Sequence, residues 1–150
     1  MSRIMKYKNY HEQKDAENIQ RLREVLTTLP YFVKDYFGAI GASTSTKTRL
    51  SYAYDIRIFF RFLITDNPMF KTYRTTDFMP DDLDSLQAAD IEEYKEYLKL
   101  YQKEESYGEV DITNGERGMK RKMSALRSLF SYLYRYEIIK NNPVVLVDMP

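Results

Sequence analysis

The stretch Glu116–Pro143, ERGMKRKMSALRSLFSYLYRYEIIKNNP, constrains the fold more than any other part of the chain. Met119, Met123, Leu126, Phe130 and Leu133 recur at spacings of four, three, four and three, the period of an amphipathic helix. Leu129 widens that apolar stripe. The other side carries Lys120, Ser124, Arg127, Ser131 and Arg135, with Arg121, Lys122 and Ser128 flanking the row. One face calls for a core. The other is basic and small, as a helix must be to enter a groove lined with phosphates. The spacing predicts one long helix, with Asn141-Asn142-Pro143 as its stop.

A second stretch has the same two-faced design. Thr48–Ile64 places Tyr52, Ile56, Phe59, Phe60 and Leu63 on one side and Lys47, Ser51, Tyr54, Arg57 and Arg61 on the other. Ser45 or Thr46 is positioned to cap it. Lys47 and Arg49 fall in its first turn, where the helix dipole does not favour cations, and a bound phosphate would account for them. Upstream, Ile19, Leu22, Leu26 and Leu29 predict a helix over Asp15–Leu29, and Tyr31–Ile40 a short one bounded by Gly38 and Gly41. Together these two pieces read as an accessory helical hairpin. Residues 65–85, with two prolines and many Asp and Thr, read as a long loop or hairpin with room for a helical turn. Gln87–Lys103 reads as a helix with Ile91, Tyr94, Leu98 and Tyr101 inward. Glu104–Asn114 reads as a polar loop around Gly108, and Thr113 and Glu116 have capping-box spacing. With five Gly and five Pro in 150 residues, the chain is expected to be all-α.

Charge divides the chain in three. Residues 1–76 hold 13 Lys+Arg against 7 Asp+Glu, residues 77–111 hold 3 against 12, and residues 112–150 hold 7 against 3. Local charges of +6, −9 and +4 thus underlie a net charge of +1. The acidic cluster around Asp90, Glu92, Glu93 and Glu96 has no histidine nearby. It reads as ordinary helix-surface pairing with Lys95 and Lys99 rather than a metal or acid/base site. His11 is the only histidine and lies beside a polar, basic arm, residues 1–11. The chain has no Cys, no glycine-rich phosphate loop and no metal-ligand spacing, which argues against a free-standing enzyme and against any metal or cofactor. Lack of Cys fits a reducing, cytoplasmic setting. No apolar run approaches the length of a membrane span, so no membrane partner is expected.

Three segments, in order, carry a resemblance. They are Thr48-x3-Tyr52-x2-Asp55-Ile56-x2-Phe59-x2-Phe62-Leu63; Leu86-x3-Asp90-Ile91-x2-Tyr94-x2-Tyr97-Leu98; and Arg121 through Leu133, followed by Ile138 and Asn142-Pro143. Over about 45–150 the chain resembles the core-binding domain of the tyrosine recombinases, the phage integrase and Xer-like group. Gln87 departs from the Ser or Thr cap usual there. The resemblance implies a SAM-like four-helix orthogonal bundle over 43–143 that clamps duplex DNA for integration and recombination. An N-terminal helical extension over 1–42 would precede it, and 144–150 would begin a linker to a catalytic domain. Two bundle helices of that family cross the major groove, and they correspond to Thr48–Ile64 and the helix through Arg121–Arg135. The DNA-facing candidates implied are Lys47, Thr48, Arg49, Ser51, Tyr54 and Arg57 on the first. On the second they are Lys120, Arg121, Lys122, Ser124, Arg127 and Ser128.

The family's chemistry, an Arg, a Lys, a His-x-x-Arg and a Tyr nucleophile that makes the parent a DNA strand-transferase, resides in that second domain. No tyrosine of this chain has such a context, so no catalytic residue is assigned. The resemblance also implies a homotetramer of the full-length protein on DNA. A helical protein-interaction module, based on the acidic helix and the 14 tyrosines, is the other reading that these residues support.

Overall fold

The computed structural model describes residues 9–105 and 112–150, with side chains for 9–100 and 115–150. The arm over residues 1–8, the loop around Gly108 and the side chains of Tyr101 and Thr113 lie outside the described residues. Six α-helices follow one another: α1 Tyr10–Leu26, α2 Val33–Ala39, α3 Thr46–Asp66, α4 Pro80–Asp84, α5 Ala88–Glu105 and α6 Ile112–Arg135. No strand occurs among the described residues, so the chain is an all-α bundle.

Each start has a local cause. Asn9 precedes α1 and accepts from the Glu12 amide at 2.9 Å, so the helix begins five residues before the apolar row suggested. Ser45, not Thr46, caps α3, accepting from the Thr48 amide at 3.1 Å. At α5 the cap is inverted: Asp90 reaches back to accept from the Gln87 amide at 2.8 Å, which makes the missing Ser or Thr unnecessary. The last helix is already formed at Ile112, so Thr113 falls within its first turn rather than at its cap. Glu104 is helical too, at the end of α5.

Thr46 meets Asp15 and Asn18, with oxygen–oxygen and nitrogen–oxygen distances of 2.8 and 3.2 Å. Three turns on, Arg57 reaches Thr28 at 3.4 Å. Helices α1 and α3 therefore run side by side in one direction, and the chain returns through α2. That short helix packs on α6, with the Tyr36 and Tyr132 rings 5.6 Å apart. The expected accessory hairpin is thus part of the bundle. Leu22, Val25, Leu29, Phe32, Val33, Tyr36 and Phe37 join the same buried cluster as the stripes of α3, α5 and α6. Its centre is aromatic: Phe59 of α3 meets Tyr94 of α5 at 5.0 Å and Phe130 of α6 at 5.9 Å, both edge to face. Residues 67–85 are folded rather than open. Short 3₁₀ turns at Pro68–Phe70 and Thr75–Asp77 bury Phe70 and Phe78 against α3, and the helix α4 adds Leu83 to the core.

The stop of α6 differs from expectation. The helix ends at Arg135, well before Asn141-Asn142-Pro143. Glu137 adopts φ 59°, its amide donates to the Tyr134 carbonyl, and the Ile138 amide donates to the Leu133 carbonyl. This is a Schellman closure with Glu where Gly is usual. The chain then turns back. The Lys140 and Asn141 amides donate to Asp84 at 2.7 and 3.1 Å, Lys95 donates to the Asp148 carbonyl at 2.8 Å, and Val144 and Val147 are buried.

A left-handed residue with a Cβ costs roughly 1–2 kcal/mol, part of which glycine gives back through its freer unfolded chain. Glu137→Gly is expected to stabilise the fold by about 0.5–1 kcal/mol. In a thermal melt that is a rise of about 1–4 °C; a fall in the midpoint would contradict the closure.

Candidate nucleic-acid interface

Helix α3 buries Ala53, Asp55, Ile56, Phe59, Phe60, Phe62 and Leu63, and so has only a narrow outward strip. Lys47, Tyr54 and Arg61 are exposed on it and Ser51 is half-buried. Helix α6 buries Met119, Met123, Leu126, Leu129, Phe130 and Leu133, and turns Lys120, Arg127, Ser131 and Arg135 outward, with Ser124 half-buried among them. Among the described residues no carboxylate lies within 4.0 Å of Lys47, Arg61, Lys120 or Arg127. These strips therefore carry positive charge that no described carboxylate pairs with.

The strips meet at one ion pair. Arg121 of α6 donates from Nε and Nη2 to the two carboxylate oxygens of Asp55 on α3, at 2.9 and 3.0 Å. The Asp55 side chain is 1% exposed and that of Arg121 is 49% exposed. A buried carboxylate without its cation costs several kcal/mol, so this pair fixes where α6 crosses α3. Ser51 lies one turn before Asp55 and Ser124 one turn after Arg121, so small hydroxyls border the junction.

The remaining candidates divide. Thr48 is half-buried at the start of α3, its hydroxyl 3.0 Å from that of Ser45. The Arg57 guanidinium sits over the Tyr54 ring at 5.3 Å. Its pKa is lowered first by burial and then by the neighbouring charge of Arg61. Lys122 and Arg49 leave the outward strips. Lys122 is only 4% exposed and stands in the row of Leu126, Leu129 and Leu133, at i+4, i+7 and i+11. Arg49 begins the buried row of Ala53, Ile56 and Phe60. Its guanidinium lies against Gly41, where a Cβ would come within 3.3 Å of Nη1 and 3.2 Å of the Gly38 carbonyl. Ser128 is taken up structurally, with the Tyr36 hydroxyl donating to its Oγ at 2.8 Å.

Four aspartates of the acidic segment are spent on the backbone. Asp77 and Asp82 accept from the Arg74 and Met79 amides, as Asp90 does from Gln87, and Asp84 holds the return after α6. Glu96 pairs with Lys99 at 2.9 Å, whereas Lys95 is used on Asp148. Among the described residues no group of three or more His, Cys, Asp or Glu could hold a metal, and no helix is long and apolar enough to cross a membrane. His11 is exposed in the first turn of α1.

The chain is 31% identical over 123 residues to the tyrosine recombinase XerC of Caldanaerobacter subterraneus subsp. tengcongensis. The match covers 77% of this chain and 32% of that protein, so the chain spans about a third of the length of this curated relative. No protein-family model and no solved structure matches the chain.

The Tyr36 hydroxyl gives a pH test of the α2–α6 contact. Burial pushes its pKa up to about 12, against the opposing hydrogen bond to Ser128. A raised folded-state value means that the stabilisation is complete below pH ~10 and is lost as pH rises through about 12. Unfolding free energy is expected to fall by up to roughly 2–3 kcal/mol over that window. Tyr36→Phe should flatten the fall in urea titrations; an equally steep loss in the variant would place the titrating group elsewhere.

Proposed function

We propose that this chain is the DNA-binding, core-binding part of a site-specific tyrosine recombinase or integrase. The observation that carries this is the pair of outward strips on α3 and α6, joined at Asp55–Arg121 and rich in cations that no carboxylate within the described residues answers. Phosphate contacts from Lys47, Arg61, Lys120 and Arg127 supply most of the affinity, and Ser51, Tyr54 and Ser124 are small or flat enough to let the duplex approach. Arg57 and Thr48 flank this surface. Arg121 contributes from the junction. Lys122, Arg49 and Ser128 serve the bundle that holds it.

In this reading the chain clamps DNA and does no chemistry. Strand transfer belongs to a tyrosine in a catalytic domain following residues 144–150, and the full-length protein acts as a tetramer on DNA in the cytoplasm. The likeness to a tyrosine recombinase over 77% of the chain supports the reading, as do the three motif segments. A protein-interaction role draws on a different observation: Tyr134, Tyr136, Val145 and Leu146 are more than half exposed at the far end of α6. A partner held there without any DNA binding at low salt would favour that reading instead.

The test uses a duplex of mixed sequence and fluorescence anisotropy. Binding is expected to weaken steeply with added salt. Lys120→Glu with Arg127→Glu should weaken it further and lower the salt slope by about 1 for each lost phosphate contact. Both positions are exposed, and among the described residues neither has a carboxylate within 4.0 Å, so unfolding is not expected to confound the result. Affinity equal to that of the parent chain would remove α6 from the interface.

A further inference from the structure

Arg57 stands one turn before Arg61 on α3, and among the described residues no carboxylate lies within 4.0 Å of either. Like charges at this spacing repel, so the pair destabilises the helix taken alone. Burial lowers the Arg57 pKa first, and the charge of Arg61 lowers it next. The groups that hold Arg57 in place are neutral. Its guanidinium carbon sits 5.3 Å from the centre of the Tyr54 ring, one turn back. From α1, the Thr28 hydroxyl accepts from its Nη1 at 3.4 Å. That hydroxyl commits its own proton to the Val25 carbonyl at 2.6 Å, so it faces Arg57 as an acceptor. The Thr28 carbonyl accepts from the Thr75 hydroxyl, which ties the end of α1 to the 67–85 segment. A ring and a hydroxyl thus orient this guanidinium without neutralising it. Arg121 is the contrast, since its charge is paired with Asp55.

We propose that Arg57 and Arg61 form a seat for the phosphate backbone of the duplex, with Thr28 of α1 as its positioning residue. The inference rests on the DNA-binding reading above. It adds a role for α1, which lies outside the two strips, and makes Arg57 an aimed side chain rather than a flanking one. A phosphate brought to the pair replaces one repulsion with two attractions. A guanidinium already held by two groups also loses less freedom when it binds.

The experiment measures duplex affinity of the 150-residue chain by fluorescence anisotropy at several salt concentrations, with a thermal melt of each variant. Thr28→Val keeps the shape of the side chain and removes the acceptor. It is expected to bind about two- to fivefold more weakly at an unchanged salt slope, because no charge is lost. Thr28→Ser should bind as the parent chain does. Arg57→Gln and Arg61→Gln should each lower the salt slope by about 1. Thr28→Val added to Arg57→Gln should weaken binding no further.

Thr27→Val is the matched control for a merely structural effect. It loses a hydroxyl bond of the same 2.6 Å length, to the Glu24 carbonyl, so its unfolding midpoint falls and its affinity does not. If Thr28→Val fails to fold, Arg57→Lys carries the test: it keeps the charge, gives up the hold, and is expected to bind about three- to tenfold more weakly at an unchanged slope. Parent affinity in Thr28→Val or in Arg57→Lys, or a further loss when Thr28→Val joins Arg57→Gln, overturns the positioning role. Parent salt slopes in both glutamine variants overturn the seat itself. A parent chain that does not bind duplex overturns both together with the DNA-binding reading.

Discussion

Helix α3 has to satisfy α1, α5, α6 and the 67–85 segment at once, and Phe59 meets two of those demands. Its ring takes the edge contacts of Tyr94 and Phe130, so α5 and α6 are both located by one side chain. Removing a buried aromatic of this kind costs about 3–5 kcal/mol, a large share of a small domain's stability. One turn earlier, Asp55 sets the register of α6 through Arg121. Helix α1 closes the third side through Thr46. What remains of α3 is a strip one or two residues wide, and that strip holds Lys47, Ser51, Tyr54 and Arg61. The packing demand therefore decides which side chains a partner can reach.

The apolar rows were legible because a helical period averages over many residues. Met119 through Leu133 and Ile56 through Leu63 are buried as their spacing requires. Charged residues on the inner side were harder to see, because a Lys or Arg beside a basic row reads as surface. Yet Lys122 stands at i+4, i+7 and i+11 from Leu126, Leu129 and Leu133, and Arg49 stands in the same way to Ala53, Ile56 and Phe60. Asp55, set among apolar residues, carried a comparable signal: an acid in that position needs a cation as its partner. Other features had no local signal. Ser128 is claimed by Tyr36 from 92 residues away. The end of α6 depends on a Glu in a conformation that sequence assigns to Gly, so a reading by residue type runs on to the next proline.

The division of charge has a structural reason. In the acidic middle segment, Asp77, Asp82, Asp84 and Asp90 satisfy backbone amides at helix starts and at the return after α6. Carboxylates spent in this way are not on the outward strips of α3 and α6. Among the described residues no carboxylate pairs with the cations there, while the net charge of the whole chain stays at +1. A surface with that local field attracts phosphate even though the total charge gives no hint of it.

The central claim is that duplex DNA lies on the α3 and α6 strips, and amide-resolved NMR titration of the chain with a duplex tests it most directly. The account predicts that shifts concentrate at Lys47, Ser51, Tyr54, Lys120, Ser124 and Arg127 and fade with added salt. Shifts confined to the acidic side around Asp66, Glu92, Glu93 and Tyr97, or to Tyr134, Val145 and Leu146, would contradict it.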